Sequence, residues 1–250
     1  MSEELGGSVA LVTGGARNIG RAIAVALAAG GASVMVNANT SRQAAEETVT
    51  LIENAGGAAA VHIADVSNAD AVRRMVDATV ERFGRLDILV NNAAIRAETP
   101  LAQIDLAEWR QVMGVILEGS FLCSQGCLPH IAAAGGGTII NIGGQTGHTG
   151  AANRAHVVAA KAGLVGLTKA LALELAPQRI TVNLVVPGTI DTVRGLPGAP
   201  ERPPERQVVP PIGRRGYPED VASMVRLLCG PSGRYITGQT VHINGGGSMF

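Results

Sequence analysis

The sequence predicts a doubly wound α/β fold, with seven strands in one mostly parallel sheet and helices on both faces. Three observations predict it. Seven short runs are nearly continuous in Val, Ile, Leu and Ala, as strands covered on both faces should be. Longer stretches with helical character separate these runs, and the alternation persists along the whole chain. No tandem repeat and no interdomain linker interrupts the 250 residues, so one domain spanning 1–250 is expected.

The first run, "SVALVT" (8–13), leads through a glycine-bearing turn into an Ala-rich helix over 18–29. Strand "ASVMVN" (32–37), a helix over 41–55 and strand "AAAVHIA" (58–64) follow. A helix over 67–83 takes Ser67 as its start signal, before "NADAVRRMV". After "LDILVN" (86–91) comes a long helical stretch, 105–133, where Asp105 precedes "LAEWRQVM" and Glu108 stands three residues on, a capping-box spacing. Strand "TIINIG" (138–143), a helix over 151–176 and strand "ITVNLVV" (180–186) continue the pattern. The tract 193–211 carries six prolines and two glycines; it is too long for an ordinary connection and reads as a lid over a site. A helix over 218–229 and strand "TVHIN" (240–244) close the chain.

Bulk properties narrow the function. An apolar content of 46% fills the core of one large domain. Twenty basic and twenty acidic residues cancel, which argues against nucleic acid or an anionic membrane as partner. The N-terminus is acidic where a secretory signal needs base, and no window approaches about 18 unbroken apolar residues, so a cytoplasmic protein is expected. Cys123, Cys127 and Cys229 form no CxxC pair and suit a reducing interior, with Cys123 and Cys127 as core filler. No metal site is expected.

The chemistry begins at "TGGARNIGRAIAVAL" (13–27). Glycine at a strand-to-helix turn lets the backbone approach a pyrophosphate, and the helix N-terminus offers amide donors and the positive end of its dipole. The turn follows the first strand and opens a helix, which is the context a Rossmann-type nucleotide site demands. At this point the chain resembles the short-chain dehydrogenase/reductase superfamily, over nearly all of its length. Gly14, Arg17, Asn18, Ile19 and Gly20 lie in a match to its TGxxxGxG turn, with Asn18 where a glycine is usual; asparagine tolerates left-handed backbone angles. Asp65 and Val66 resemble the family's adenine contact. Asn91, Asn92, Ala93 and Ala94 match its NNAG-type motif. Pro187, Gly188, Ile190 and Thr192 fall in a PGxxxT segment, which in the family receives the nicotinamide amide. The tail "YITGQTVHINGG" is similar to that of bacterial 3-oxoacyl-carrier-protein reductases.

The resemblance implies a dinucleotide cofactor, a small-molecule substrate, and a homotetramer or homodimer built through the two long helical stretches and the tail. The second strand ends in "VNANTSRQ" (36–43), without the acid that would hold the ribose hydroxyls of NAD(H). Asn39, Thr40, Arg42 and Arg17 offer donors and charge to a 2′-phosphate instead, which favours NADP(H) over NAD(H).

The family's acid–base group is a tyrosine four residues before a lysine, with a serine about thirteen positions upstream and an asparagine on the preceding long helix. Lys161 matches the lysine, which in the family holds the nicotinamide ribose. The tyrosine position is Val157, the serine position Gly144 and the asparagine position Ile116. Tyr217 and Tyr235 are the chain's two tyrosines, and neither is placed to substitute. Two readings stay open: redox chemistry with another proton source, or a non-redox lyase, isomerase, cyclase or regulatory role. Candidate replacements are His156, although one position off the tyrosine turns it about 100° around the helix, and Gln145, beside the empty serine position. Asn153, four residues before Val157, would touch substrate or cap the helix. Lys161 itself is a further candidate acid. Arg96 follows the NNAA motif and is placed to meet an anionic substrate; His148 and Arg154 are expected as loop charges at the mouth, and His62 and His242 as structural residues within strands.

Overall fold

The structure is a computed structural model and describes residues 3–192 and 209–249. Strands β1 (Val9–Val12), β2 (Ser33–Ala38), β3 (Ala59–Ile63), β4 (Ile88–Asn91), β5 (Gly137–Ile142), β6 (Ile180–Pro187) and β7 (Thr240–Ile243) form one sheet in the order β3-β2-β1-β4-β5-β6-β7. Every pairing is parallel. The expected fold class is therefore observed, with each strand within about two residues of its expected place. The chain winds outward from β1 to β3, returns to β4 beside β1, and winds the other way to β7. The crevice at the carboxyl ends of β1 and β4 is the point where such sheets bind ligands.

Helices α1 (Asn18–Ala29), α2 (Arg42–Asn54), α3 (Ala69–Phe83), α4 (Leu106–Met113), α5 (Gly119–Ala133), α6 (Thr146–Thr149), α7 (Ala155–Leu175) and α8 (Pro218–Cys229) cover it. Alternate side chains of each strand divide between two cores, as the two-residue period requires. Ala10, Val12, Val34, Val36 and Val90 pack with Ile23, Leu27, Ile52, Val221 and Val225 of α1, α2 and α8. Val9, Leu11, Met35 and Leu89 pack with Val72, Met75, Cys123, Cys127 and Leu175 of α3, α5 and α7. Because both faces are covered, the strands are predominantly apolar, which is what made them legible. All three cysteines are free and buried, and burial pushes the Cys123 and Cys229 thiols up to about 12.

Several details differ from expectation. Asn68, not Ser67, caps α3: its side chain accepts from the Ala71 N–H at 2.9 Å, while the Ser67 hydroxyl donates to Asp65 at 2.7 Å. At α4, Asp105 accepts from the Glu108 N–H at 2.7 Å, but the Glu108 carboxylate accepts from Thr99 Oγ1 at 2.7 Å. The long stretch 105–133 is interrupted by a π-helical turn, Gly114–Glu118, a form that often marks functional sites. By length and mean composition two helical stretches, Leu106–Ala133 and Ala155–Gln178, are apolar enough to cross a membrane, although charged residues interrupt both. Both pack on the sheet, where Cys123, Ile131, Ala172 and Leu175 enter the core. Of the proline-rich tract 193–211, residues 193–208 lie outside the described residues.

Candidate functional site

Thr13, at the carboxyl end of β1, organises the crevice. Its hydroxyl donates to Val90 O at 3.2 Å and accepts from the Asn92 and Ala93 N–H groups at 2.9 and 3.1 Å, tying the β4 exit to the glycine turn. Asn92 returns the tie: its amide donates to Thr13 O at 2.9 Å and Gly14 O at 3.0 Å. Buried Asn37, in β2, accepts from the Gly14 N–H at 3.3 Å and donates to Ala64 O at 3.0 Å, linking three strand ends. Sequence reading missed Asn37 and the bracing role of Asn92. A polar amide in an otherwise apolar strand was the available signal.

The glycines are sterically required. A Cβ on Gly20 would sit 2.2 Å from Gly14 O, and one on Gly14 would meet Ala93 Cα at 3.0 Å with φ at +60°. Asn18 has φ of 50°, the left-handed conformation anticipated for it. Helix α1 starts there with no side-chain cap on its first amides, so the turn is a concave backbone surface at a helix N-terminus, suited to an anion. Around it lie exposed Arg17, Asn39 and Thr40, and half-exposed Ile19. Arg42 is 3.7 Å from Glu46 on an open helix face, a pairing of little energy. Asp65 turns back on Ser67, and Val66 is buried against α5.

Asn91 joins a buried network: its amide donates to Asn141 Oδ1 at 2.9 Å and Ser124 Oγ at 3.1 Å, and Asn141 donates to Thr168 at 2.9 Å. This network fixes β4 and β5 against α5 and α7. Beyond β6, Gly188 lies so close to Asn244 that a Cβ would sit 2.5 Å from Asn244 Cβ. Thr192 Oγ1 is buried without a hydrogen-bond partner among the described residues. Ile190 pairs with Gly216 as an isolated parallel bridge.

Lys161 is the centre of the second half of the site. Its ammonium donates to Ile142 O at 2.6 Å, and burial, reinforced by the charge of Arg96, brings its pKa down to about 8. Gly144 lies alongside: a Cβ there would meet Lys161 Cγ, Cδ and Cε at 3.7–3.9 Å and nothing nearer. Val157 and Ile116 pack in an apolar cluster with Ile95, Ala97, Val112 and Ala160. Lys161 is thus itself buried, with Val157 of that cluster one helical turn before it.

Three candidate site residues prove to be engaged elsewhere or displaced. His156 is fully buried and its Nε2 is 3.2 Å from Glu108 Oε1, so the ring faces α4. Asn153 neither belongs to α7 nor caps it; it is an exposed residue with φ of 60° in the turn before Arg154, and its carbonyl accepts from Thr99 at 2.8 Å. Gln145 donates to Ser248 Oγ at 2.6 Å and reaches Gly188, at the junction with the C-terminal tail. Arg154 pairs with Glu98 at 2.9 Å. His148 is no solvated loop charge: it stacks edge-on with His242 at 4.7 Å, and burial lowers both pKa values.

Known proteins match this arrangement along the whole chain. The enoyl-(acyl carrier protein) reductase family matches residues 14–248. A 3-oxoacyl-[acyl-carrier-protein] reductase of Synechocystis sp. is 43% identical over 246 residues, 97% of each chain. A short-chain dehydrogenase/reductase from Serratia marcescens superposes with a TM-score of 0.90 at 36% identity, covering 98% of this chain and 99% of that one. A blue fluorescent protein from a metagenomic library, solved in complex with NADPH, gives a TM-score of 0.91 at 35% identity, covering 98% and 100%.

Proposed function

The chain belongs to the short-chain dehydrogenase/reductase superfamily, and on that premise we propose an NADP(H)-dependent oxidoreductase whose site works without the family's serine–tyrosine pair. The observation that carries the reading is the braced glycine turn, where a Cβ on Gly20 would strike Gly14 O at 2.2 Å. A surface that excludes even a methyl group beside uncapped helix amides suits a bound pyrophosphate. Gly14, Asn18, Ile19 and Gly20 would hold that group. Asp65 and Val66 would flank adenine, Asn91 and Ala93 would back the crevice, and Lys161 would hold the nicotinamide ribose. Pro187, Gly188, Ile190 and the unpartnered Thr192 hydroxyl would receive the carboxamide. Arg17, Asn39, Thr40 and Arg42 would bind the 2′-phosphate, since β2 ends without an acid.

When bound, the dinucleotide supplies or accepts the hydride of a carbonyl/alcohol pair. The chain's own residues must orient the carbonyl and move its proton. Val157, Gly144 and Ile116 stand where the family has tyrosine, serine and asparagine, and none can carry a proton. His156 faces Glu108, which leaves Lys161 as the proton source: its pKa of about 8 permits exchange near neutral pH. The same reading makes 1–250 one dinucleotide-binding domain in a cytoplasmic homotetramer or homodimer. Exposed Leu106, Phe121 and Leu173, on α4, α5 and α7, support association through those helices.

Calorimetric titration with NADPH and NADH, followed by absorbance at 340 nm over a panel of ketones and alcohols, tests the proposal. Tighter NADPH binding with an absorbance change supports it. Binding without any change assigns a non-redox role, and no binding removes the cofactor site.

A further inference from the structure

The loop that leaves β4 carries a cation, Arg96, that forms no ion pair among the described residues. Ile95 and Ala97 turn into the apolar cluster that contains Val157 and Ile116, and Arg96 between them stays on the exposed side. The same loop is pinned at its far end: Thr99 N–H donates to Asn153 O at 2.8 Å and Thr99 Oγ1 to Glu108 Oε1 at 2.7 Å. The loop that bears Arg96 is therefore tied to the turn before α7 and, through Ile95 and Ala97, to the cluster around Val157.

Nearby carboxylates are already engaged. Glu98 accepts from Arg154 at 2.9 Å, and Glu108 lies against Thr99 and His156. Arg96 itself makes no hydrogen bond or ion pair among the described residues. Its charge adds to the burial that depresses the pKa of Lys161. Three cations thus share one region of the site, and the carboxylate among them, Glu98, is paired with Arg154.

We propose that Arg96 binds a carboxylate carried by the carbonyl substrate, so that the protein acts on small oxo acids and the matching hydroxy acids. This rests on the reading of the Lys161 region as the substrate site. A guanidinium offers a planar pair of donors that matches a carboxylate, and the wall of Ile95, Val157 and Ile116 takes the carbon skeleton. A bound anion would relieve the repulsion among Arg96, Arg154 and Lys161.

The test compares 4-oxopentanoate with its neutral isostere 4-oxopentanamide, by calorimetry on protein saturated with NADP+. Wild type should bind the acid about 10- to 100-fold more tightly than the amide, the range of a charge-assisted contact. Arg96→Gln should abolish the preference, chiefly by weakening acid binding, and Arg96→Lys should restore part of it. Equal binding of acid and amide by wild type, or a preference that survives Arg96→Gln, overturns the proposal. So does an Arg96 dependence confined to a phosphopantetheine thioester of acetoacetate. Affinity of wild type for NADP+ is measured first, in a separate titration: no binding refutes the nucleotide site, whereas the acid–amide comparison, repeated without nucleotide, still reports on Arg96 alone.

Discussion

Replacing Gly144 by serine and Val157 by tyrosine should convert this site into a fast reducer of plain ketones. The backbone at Gly144 is not left-handed, and an added Cβ meets the Lys161 stem at 3.7–3.9 Å, ordinary contact. By contrast, Gly143 and Gly147 would each bring a Cβ to 2.9 Å from a neighbour, so only Gly144 in this stretch accepts a side chain without movement. Val157 lies in α7 one turn before Lys161, half-buried at the edge of its cluster, where a ring can lie with its hydroxyl beyond. A positioned acid contributes about 10²- to 10⁴-fold, or ~3–5 kcal/mol of barrier. The assay is NADPH oxidation at 340 nm with a ketone that has no ionisable group, so the substrate brings no proton. Each single substitution should gain far less than the pair, because the serine and tyrosine act as a unit. A double variant that folds, binds NADPH as tightly as wild type and reduces no faster would refute the reasoning, since the missing acid would then not limit the reaction.

Other consequences are as direct. Gly20→Ala puts a Cβ 2.2 Å from Gly14 O and 2.5 Å from Asn92 Nδ2; it should destabilise the fold by about 1–3 kcal/mol in urea and weaken NADPH binding at least tenfold. Lys161 has its folded pKa lowered from 10.5 to about 8 by burial, so its charge costs the native state about 3 kcal/mol below pH 8, a cost relieved as pH rises toward 10.5. In nucleotide-free protein, wild type should therefore gain about 3 kcal/mol of stability on Lys161→Met between those pH values; a constant difference refutes the lowered pKa. Arg17→Ser with Arg42→Ser should weaken NADPH binding about 10- to 100-fold while leaving NADH binding nearly unchanged in the same titration. Equal losses for both nucleotides would remove the 2′-phosphate assignment.

What the sequence disclosed and what it concealed have physical reasons. The strands were legible because burial on both faces leaves no polar alternation to confuse, and α1 because the glycine turn, with left-handed Asn18, opens directly onto it. The glycine turn was legible because sterics there permit nothing larger. Partners from distant segments were not. The direction of His156 depends on Glu108, 48 residues away on α4. The role of Asn153 depends on a left-handed turn that starts α7 at Ala155 rather than at 151. Ser67 and Asn68 are both good caps, and Asp65, by accepting from Ser67, decided between them. Asn37 stands out as a polar amide in an apolar strand, but its role emerges only when its four neighbours, from Gly14 to Ala64, are in place.

The central claim, hydride transfer from a site without the serine–tyrosine pair, is tested most directly by isotope. Purified protein is given NADPH doubly deuterated at the nicotinamide C4, together with an oxo acid, and the product is examined by mass spectrometry. The account predicts one deuterium on the new carbinol carbon for each NADPH consumed. An alcohol without deuterium, or intact oxo acid beside intact NADPH in a complex that binds both, would contradict it.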